Sequence, residues 1–260
     1  MMKNFASNFN FPLFRGHSFQ NNVNEFERTA ISLLFISVFI GIILFQVNFS
    51  AYLEYLSEDN IIEWLTVITL FACFDVSLKR SFRLFRQRKT RFILSLLLFS
   101  LLFLFGAGEE ISWGQRIFSI ESTDFFLKFN SQNETNIHNL VFNNIRINKA
   151  VFSSLIGIVI FFYMIPLPIL YKRNVKIKKF IDSFAVPVPQ NYHIISYLIL
   201  AVLINVFLGP DKWELLEMSG SAMFFLIILN PVNGSIFAQH TERAIIKDLA
   251  GSRLLNLCKH

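Results

Sequence analysis

Two adjacent carboxylates, Glu109 and Glu110, lie in Gly106-Ala-Gly-Glu-Glu-Ile-Ser-Trp-Gly-Gln-Arg116, directly after the apolar run Phe103-Leu104-Phe105. A dense polar stretch at 130–139 (NSQNETNIHN) follows and carries Glu134 and His138. Carboxylates beside a histidine divide acid and base roles once their environments differ, and they also ligate transition metals. An arginine alongside suits an anionic group, because its planar fork meets two oxygens at once. The expected catalytic set is Glu109, Glu110 and His138, with Arg116, Trp113, Gln132 and Asn136 as substrate contacts. A divalent metal, if one binds, would draw on Glu110, Glu134, His138, Glu214 and Glu217.

Spacing sets the expected geometry. A helix over 109–116 would put Glu109, Trp113 and Arg116 on one face, with Glu110 about 100° away. Glu134 and His138 are four apart, and Glu214 and Glu217 three apart, so each pair would share a helical face. The same residues have a purely structural reading. Ser131-Gln-Asn-Glu134 has the capping-box pattern, Asn60-Ile-Ile-Glu63 and Asp211-Lys-Trp-Glu214 have comparable spacing, and Glu109-Glu110 would suit a first helical turn. Trp113 and Trp213 also suit an interfacial aromatic belt.

Histidines elsewhere do not extend the set. His193 and His240 fall on the opposite side of the expected membrane, and His17 and His260 are terminal. The outer face therefore cannot assemble a three-histidine zinc site, any metal site there must lean on carboxylates, and the Glu-x-x-His spacing of di-iron bundles is missing. Cys73 and Cys258 supply neither a disulfide framework nor a metal quartet.

The elements that must hold these residues are membrane helices. The hydrophobic fraction is 53%, phenylalanine supplies 32 of 260 residues, and mean hydropathy is +0.49. That is too apolar for an ordinary soluble domain. Stretches 29–47, 61–78, 92–106, 150–171, 193–208 and 213–237 have the composition of spans. The third is short, and Asn230-Pro231 interrupts the sixth. The expected fold is an all-α polytopic transmembrane bundle of about six spans. An arm at 1–28 precedes the membrane domain at 29–237, and a tail at 238–260 follows. Segment 107–149, between spans three and four, is too apolar for a disordered loop and is expected to lie on the outer face as an interfacial piece.

Orientation follows from the basic residues. Nineteen of the 24 lysines and arginines fall on one side, in 79–91, in 172–179 and in the two termini. Arg116, Lys128, Arg146, Lys149 and Lys212 fall on the other. Basic loops favour the cytoplasm, so both termini are expected inside. The sequence pI of 9.4 reports loops resting on anionic headgroups, not a nucleic-acid surface. Asp75 and Lys79 read as a snorkelling ion pair, and Asn205 and Ser219-Gly-Ser-Ala222 as helix-packing residues.

The block Glu109-Glu-Ile-Ser-Trp-Gly-Gln-Arg116, with Asn130-x-Gln-x-Glu-x-Asn-x-His-Asn139, resembles the shared blocks of a family of bacterial multi-pass membrane proteins. Residues 58–66 resemble a weaker block of the same family, with Asn60 where glycine is expected. The resemblance implies a bacterial inner membrane and no particular reaction. Glutamate intramembrane proteases of the CAAX-processing type carry paired glutamates and then an arginine four residues on, whereas Arg116 is six after Glu110. Alkaline-ceramidase-like hydrolases need more zinc-binding histidines than this chain has. The function expected is that of a membrane enzyme acting at the outer face on a lipid or lipid-linked substrate. The alternative is an accessory subunit, partnered with another membrane protein, or a transporter. No internal repeat favours the transporter.

Overall fold

The computed structural model describes residues 23–57, 59–137, 139–142, 145–146 and 154–239, apart from the side chains of Arg116, Phe142, Ile145, Arg146, Ser154 and Leu155. The chain divides into a body, Asn24–Phe237, and a unit made of its two ends, Met1–Val23 and Ala238–His260. Most of the predicted arm and tail lies outside the described residues, as do Lys149 and His138.

The described residues of the body form helices joined by turns and loops, with a two-residue antiparallel pair, Val141–Phe142 with Ile145–Arg146. Asparagine caps start its first helices. Asn24 Oδ1 accepts from the Glu27 amide at 2.8 Å to begin α1 (Glu25–Val47). Asn48 Oδ1 does the same for Ala51 at 3.1 Å in the short α2 (Phe49–Tyr55). Asn60 Oδ1 accepts from Ile61 N at 2.7 Å, and Glu63 reaches back to the Asp59 amide at 2.6 Å, starting α3 (Ile61–Leu84). The capping expected at Asn60 and Glu63 is therefore present. A tight basic turn leads into α4 (Thr90–Glu110), which packs along α3.

Beyond α4 the chain makes a 3-10 turn at Ser112–Gly114 and two short helices, α5 (Gln115–Phe118) and α6 (Asp124–Phe129). It returns through α7 (Ser154–Met164) and α8 (Pro166–Arg173), which are separated because Pro166 has no amide to continue the ladder. The amphipathic α9 (Val175–Ser183) precedes α10 (Asn191–Phe207) and α11 (Trp213–Leu229).

Among the described residues four helical stretches are long and apolar enough to cross a membrane: Glu25–Val47, Ile61–Leu84, Thr90–Glu110 and Ile156–Arg173, the last taking in most of α7 and all of α8. The first runs with little of its surface buried against the rest of the chain, as a lipid-facing helix does. α10 is apolar but has only 17 residues, and α11 also has 17, so each reaches roughly 26 Å, just under a hydrocarbon core of about 30 Å. The sixth expected stretch, 213–237, stops as a helix at Leu229, because Pro231 cannot donate to it, and ends in a 3-10 turn at Gly234–Phe237. The third, expected at 92–106, is longer and carries Glu109 and Glu110 in its last turn.

The main core joins α1, α2, α3, α7, α10 and α11 through Val38, Tyr52, Ile62, Met164, Leu200, Ile204, Leu215 and Met223. Across the α3–α11 seam, Thr69 Oγ1 donates to Ser221 Oγ at 2.7 Å, so the Ser219-Gly-Ser-Ala222 run packs helices as expected. Asn205 does not. It is exposed and donates to its own helix at Ala201 O, 2.9 Å away. Asp75 and Lys79 form their ion pair at 2.7 Å.

Candidate functional site

α4 ends where α3 and α11 begin, so Glu109 and Glu110, Glu63, and Glu214 and Glu217 come to one end of the bundle, here the acidic end. The Glu110 carboxyl lies within electrostatic reach of Glu217, Glu214, Glu63 and Glu109, and Glu217 within reach of Glu63. Nearby, the Tyr52 phenol in α2 is pushed up to about 12, chiefly by burial and then by the negative charge of Asp211. It donates to Pro210 O at 2.7 Å and so ties α2 to the α10–α11 turn.

The paired carboxylates occupy different surroundings. Glu109 is buried and accepts twice, from the Trp113 indole Nε1 at 2.9 Å and from the Ile137 amide at 2.6 Å. Glu110 is half-buried and makes no hydrogen bond among the described residues. Both stand in the last turn of α4, not in a first turn, so the helix dipole opposes their charge there. Hydrogen bonds to Glu109 offset that cost; among the described residues the charged groups that act on Glu110 are carboxyls.

A helix through 109–116 does not form. Trp113 sits at φ 55° and Gly114 at φ 79°, both left-handed, and the chain turns sharply there. Trp113 reaches Glu109 through this turn and not along a helical face. Gly108 makes room for the indole, since a Cβ there would lie 2.8 Å from the ring.

Nor are residues 130–137 helical. They form a folded loop whose asparagines act as internal turns, so Glu134 begins no helix; its expected pairing with His138 lies outside the described residues. Asn130 Oδ1 accepts from the Gln132 and Glu134 amides at 2.9 and 3.2 Å, and its Nδ2 donates to Asn136 Oδ1 at 2.8 Å. Asn136 Nδ2 donates to Ser112 Oγ at 2.9 Å and to Glu134 Oε2 at 3.0 Å, while Ser112 Oγ donates to the same Glu134 oxygen at 2.5 Å. Gln115 Oε1 accepts from the Thr135 amide at 2.6 Å, and its Nε2 donates to Ser122 Oγ at 2.7 Å. Gln132 Oε1 accepts from Asn139 Nδ2. The two polar blocks are thus halves of one knot, with Ser112, Glu134 and Asn136 buried inside it.

Of the expected metal candidates, Glu134 is held in the knot by Ser112 and Asn136. Among the described residues no three histidine, cysteine or carboxylate side chains are placed to hold an ion. Asp211 and Glu214 do not form the expected side-chain cap: Glu214 N donates to the Asp211 carbonyl at 3.3 Å, and Lys212 occupies the cap position.

The opposite, basic end holds a second polar cluster. Glu27 is fully buried and accepts from Tyr192 Oη at 2.9 and 3.0 Å, from Asn230 Nδ2 at 3.1 Å and from His193 Nε2 at 3.1 Å. The Gln190 amide donates to His193 Nδ1 at 3.3 Å, so the ring proton belongs on Nε2 and points at Glu27. This cluster fastens the start of α1 to the start of α10 and the end of α11. Asn24-Glu-Phe-Glu27 repeats the cap spacing of Asn60–Glu63, and that signal would have begun the first helix at Glu25 and taken Glu27 into the membrane domain.

Comparison of the chain with protein-family models, with curated proteins and with solved structures finds no match.

Proposed function

We propose that this chain is a six-span protein of a bacterial inner membrane, with both termini cytoplasmic, whose acidic end faces outward and acts on a lipid or lipid-linked substrate. Glu110 carries the reading: it stands among Glu217, Glu214, Glu63 and Glu109 without a hydrogen bond of its own among the described residues. Crowded carboxyls share protons, and such a group can hold one acid and one base side by side. In this reading Glu110 and Glu217 exchange the proton, while Glu109 and Glu134 hold the outer knot rigid. Arg116 and His138 keep their expected parts by residue type, Arg116 holding an anionic headgroup and His138 assisting as acid. Exposed Trp113, Ile117, Phe118 and Ile120 support an interfacial position for the knot, within reach of headgroups.

The alternative, an accessory subunit or transporter, is favoured by one observation: the polar blocks spend most of their described hydrogen bonds within and between themselves. The full chain and its Glu110→Gln variant, expressed at equal levels, separate the readings. The expected result is a change in the membrane lipid or lipid-linked glycan profile with the wild type that is lost with Glu110→Gln. Identical profiles for wild type, variant and empty membrane would remove the enzyme reading and leave the accessory one.

A further inference from the structure

Arg80 lies near the end of α3 and is only 7% exposed. Its guanidinium has five N–H donors and a charge it does not lose. Among the described residues it makes no hydrogen bond; its Nε is sealed off without an acceptor, and its guanidinium lies over the Phe237 ring, 4.4 Å from Cζ to the ring centre. The charge beside it is another cation, Arg83. Both nearby carbonyls are already used. Arg83 Nη2 donates to Phe237 O at 3.1 Å, and Arg88 Nη2 donates to Ile236 O. Carboxylates on neighbouring elements are engaged too: Asp75 with Lys79, Glu27 with the Tyr192–His193–Asn230 cluster, and Asp182 with Tyr171 and Asn233.

A buried cation without a counter-charge is costly, and a ring face offsets only part of that cost. Three guanidinium groups around one turn, the most buried of them unmatched among the described residues, have the chemistry of a site for an anion. We propose that Arg80, flanked by Arg83 and Arg88 at the Ile236–Phe237 turn, binds a phosphate-class oxyanion. The planar fork donates to two phosphate oxygens at once, which a lysine cannot do in that geometry. Two sources share this chemistry, the headgroup of an anionic phospholipid and free phosphate. The proposal is independent of the acidic end and of the direction in which the protein crosses the membrane.

The test uses the full chain in an uncharged detergent. Phosphatidylglycerol is compared with phosphatidylcholine by native mass spectrometry of retained lipid, and inorganic phosphate with chloride at equal ionic strength by thermal unfolding. The expected wild-type result is either phosphatidylglycerol retained about fivefold over phosphatidylcholine, which names the lipid, or a higher Tm with phosphate alone, which names the soluble ion. Arg80→Gln should abolish that response, Arg80→Lys should keep part of it, and Lys172→Gln, an exposed basic site on α8, should keep it all. Without either probe, Arg80→Gln should melt no lower than wild type, since it removes an uncompensated charge; a plain structural role requires it to melt lower. If Arg80→Gln does not fold, Arg88→Gln and the wild-type comparisons decide. No response of the wild type to either probe, or equal losses in Arg80→Gln and Lys172→Gln, overturns the proposal.

Discussion

Glu109 and Glu110 are neighbours in sequence and opposites in circumstance. The helix turns them about 100° apart, so one side chain faces the folded loop and the other faces the carboxyls of α3 and α11. Glu109→Gln keeps the shape but presents an amide N–H where the carboxylate had accepted from Trp113 or from Ile137. The expected loss is about 1.5–3 kcal/mol, the worth of hydrogen bonds to a charged acceptor, with faster hydrogen exchange over residues 130–137. Glu110→Gln should leave both the unfolding transition and that exchange pattern near wild type. Equal exchange in the two variants would show that Glu109 does not hold the loop. Residue types alone made both glutamates candidates; their division of labour was not legible, because it depends on where the backbone leaves the helix. Glu27 was missed for a related reason. It stands just before an apolar run, and its partners His193 and Asn230 are more than 160 residues away in the chain.

At the scale of elements, hydropathy located the long apolar helices and capping spacing placed the start of α3, since both signals are local. The loop at 130–139 misled for the same local reason. Ser131 and Glu134 have capping spacing, but the Asn130 side chain captures the amides that a helix would need, and Asn136 bridges to Ser112. The break after Glu110 had one readable mark, Gly114, four residues on, where glycine commonly closes a helix end. That glycine has φ 79°, and a Cβ there would lie 3.0 Å from the Phe118 ring. Gly114→Ala is therefore expected to cost about 1–2 kcal/mol in thermal unfolding, the usual penalty for an L-residue held left-handed. Gly114→Asn should cost less, because asparagine enters that region more readily. If the smaller alanine proves the milder change, crowding against Phe118 and not backbone conformation governs the turn.

On the scale of the whole molecule, the charge distribution and the helix order make the same division. Arg80, Arg83 and Arg88 cluster at one end of α3 and α4, while Glu63, Glu109, Glu110, Glu214 and Glu217 gather at the other. Lys172 and Arg173 close α8, and Lys176, Lys178 and Lys179 follow on α9. In the proposed reading basic residues are retained on the cytoplasmic side, which would put the turn between α3 and α4 inside and the knot outside. The six crossings proposed would require the 17-residue α10 and α11 to span as well, which helices of that length can do where the bilayer thins or flanking residues snorkel. Site-directed labelling reads the orientation directly. Ser122 is a poor reporter: it is 8% exposed, and its hydroxyl bonds to Asn133 O at 2.6 Å. Exposed Glu121 and Lys89 are better positions, and Cys73 is buried, so replacing Cys258 with serine leaves a quiet background. With a membrane-impermeant maleimide on intact cells, Glu121→Cys should label, whereas Lys89→Cys should label only after permeabilisation. The reverse pattern would turn the acidic end inward and with it the proposed outer site. Labelling of both positions in intact cells would mean that an even number of crossings, or none, separates them, and α4 would not be a span.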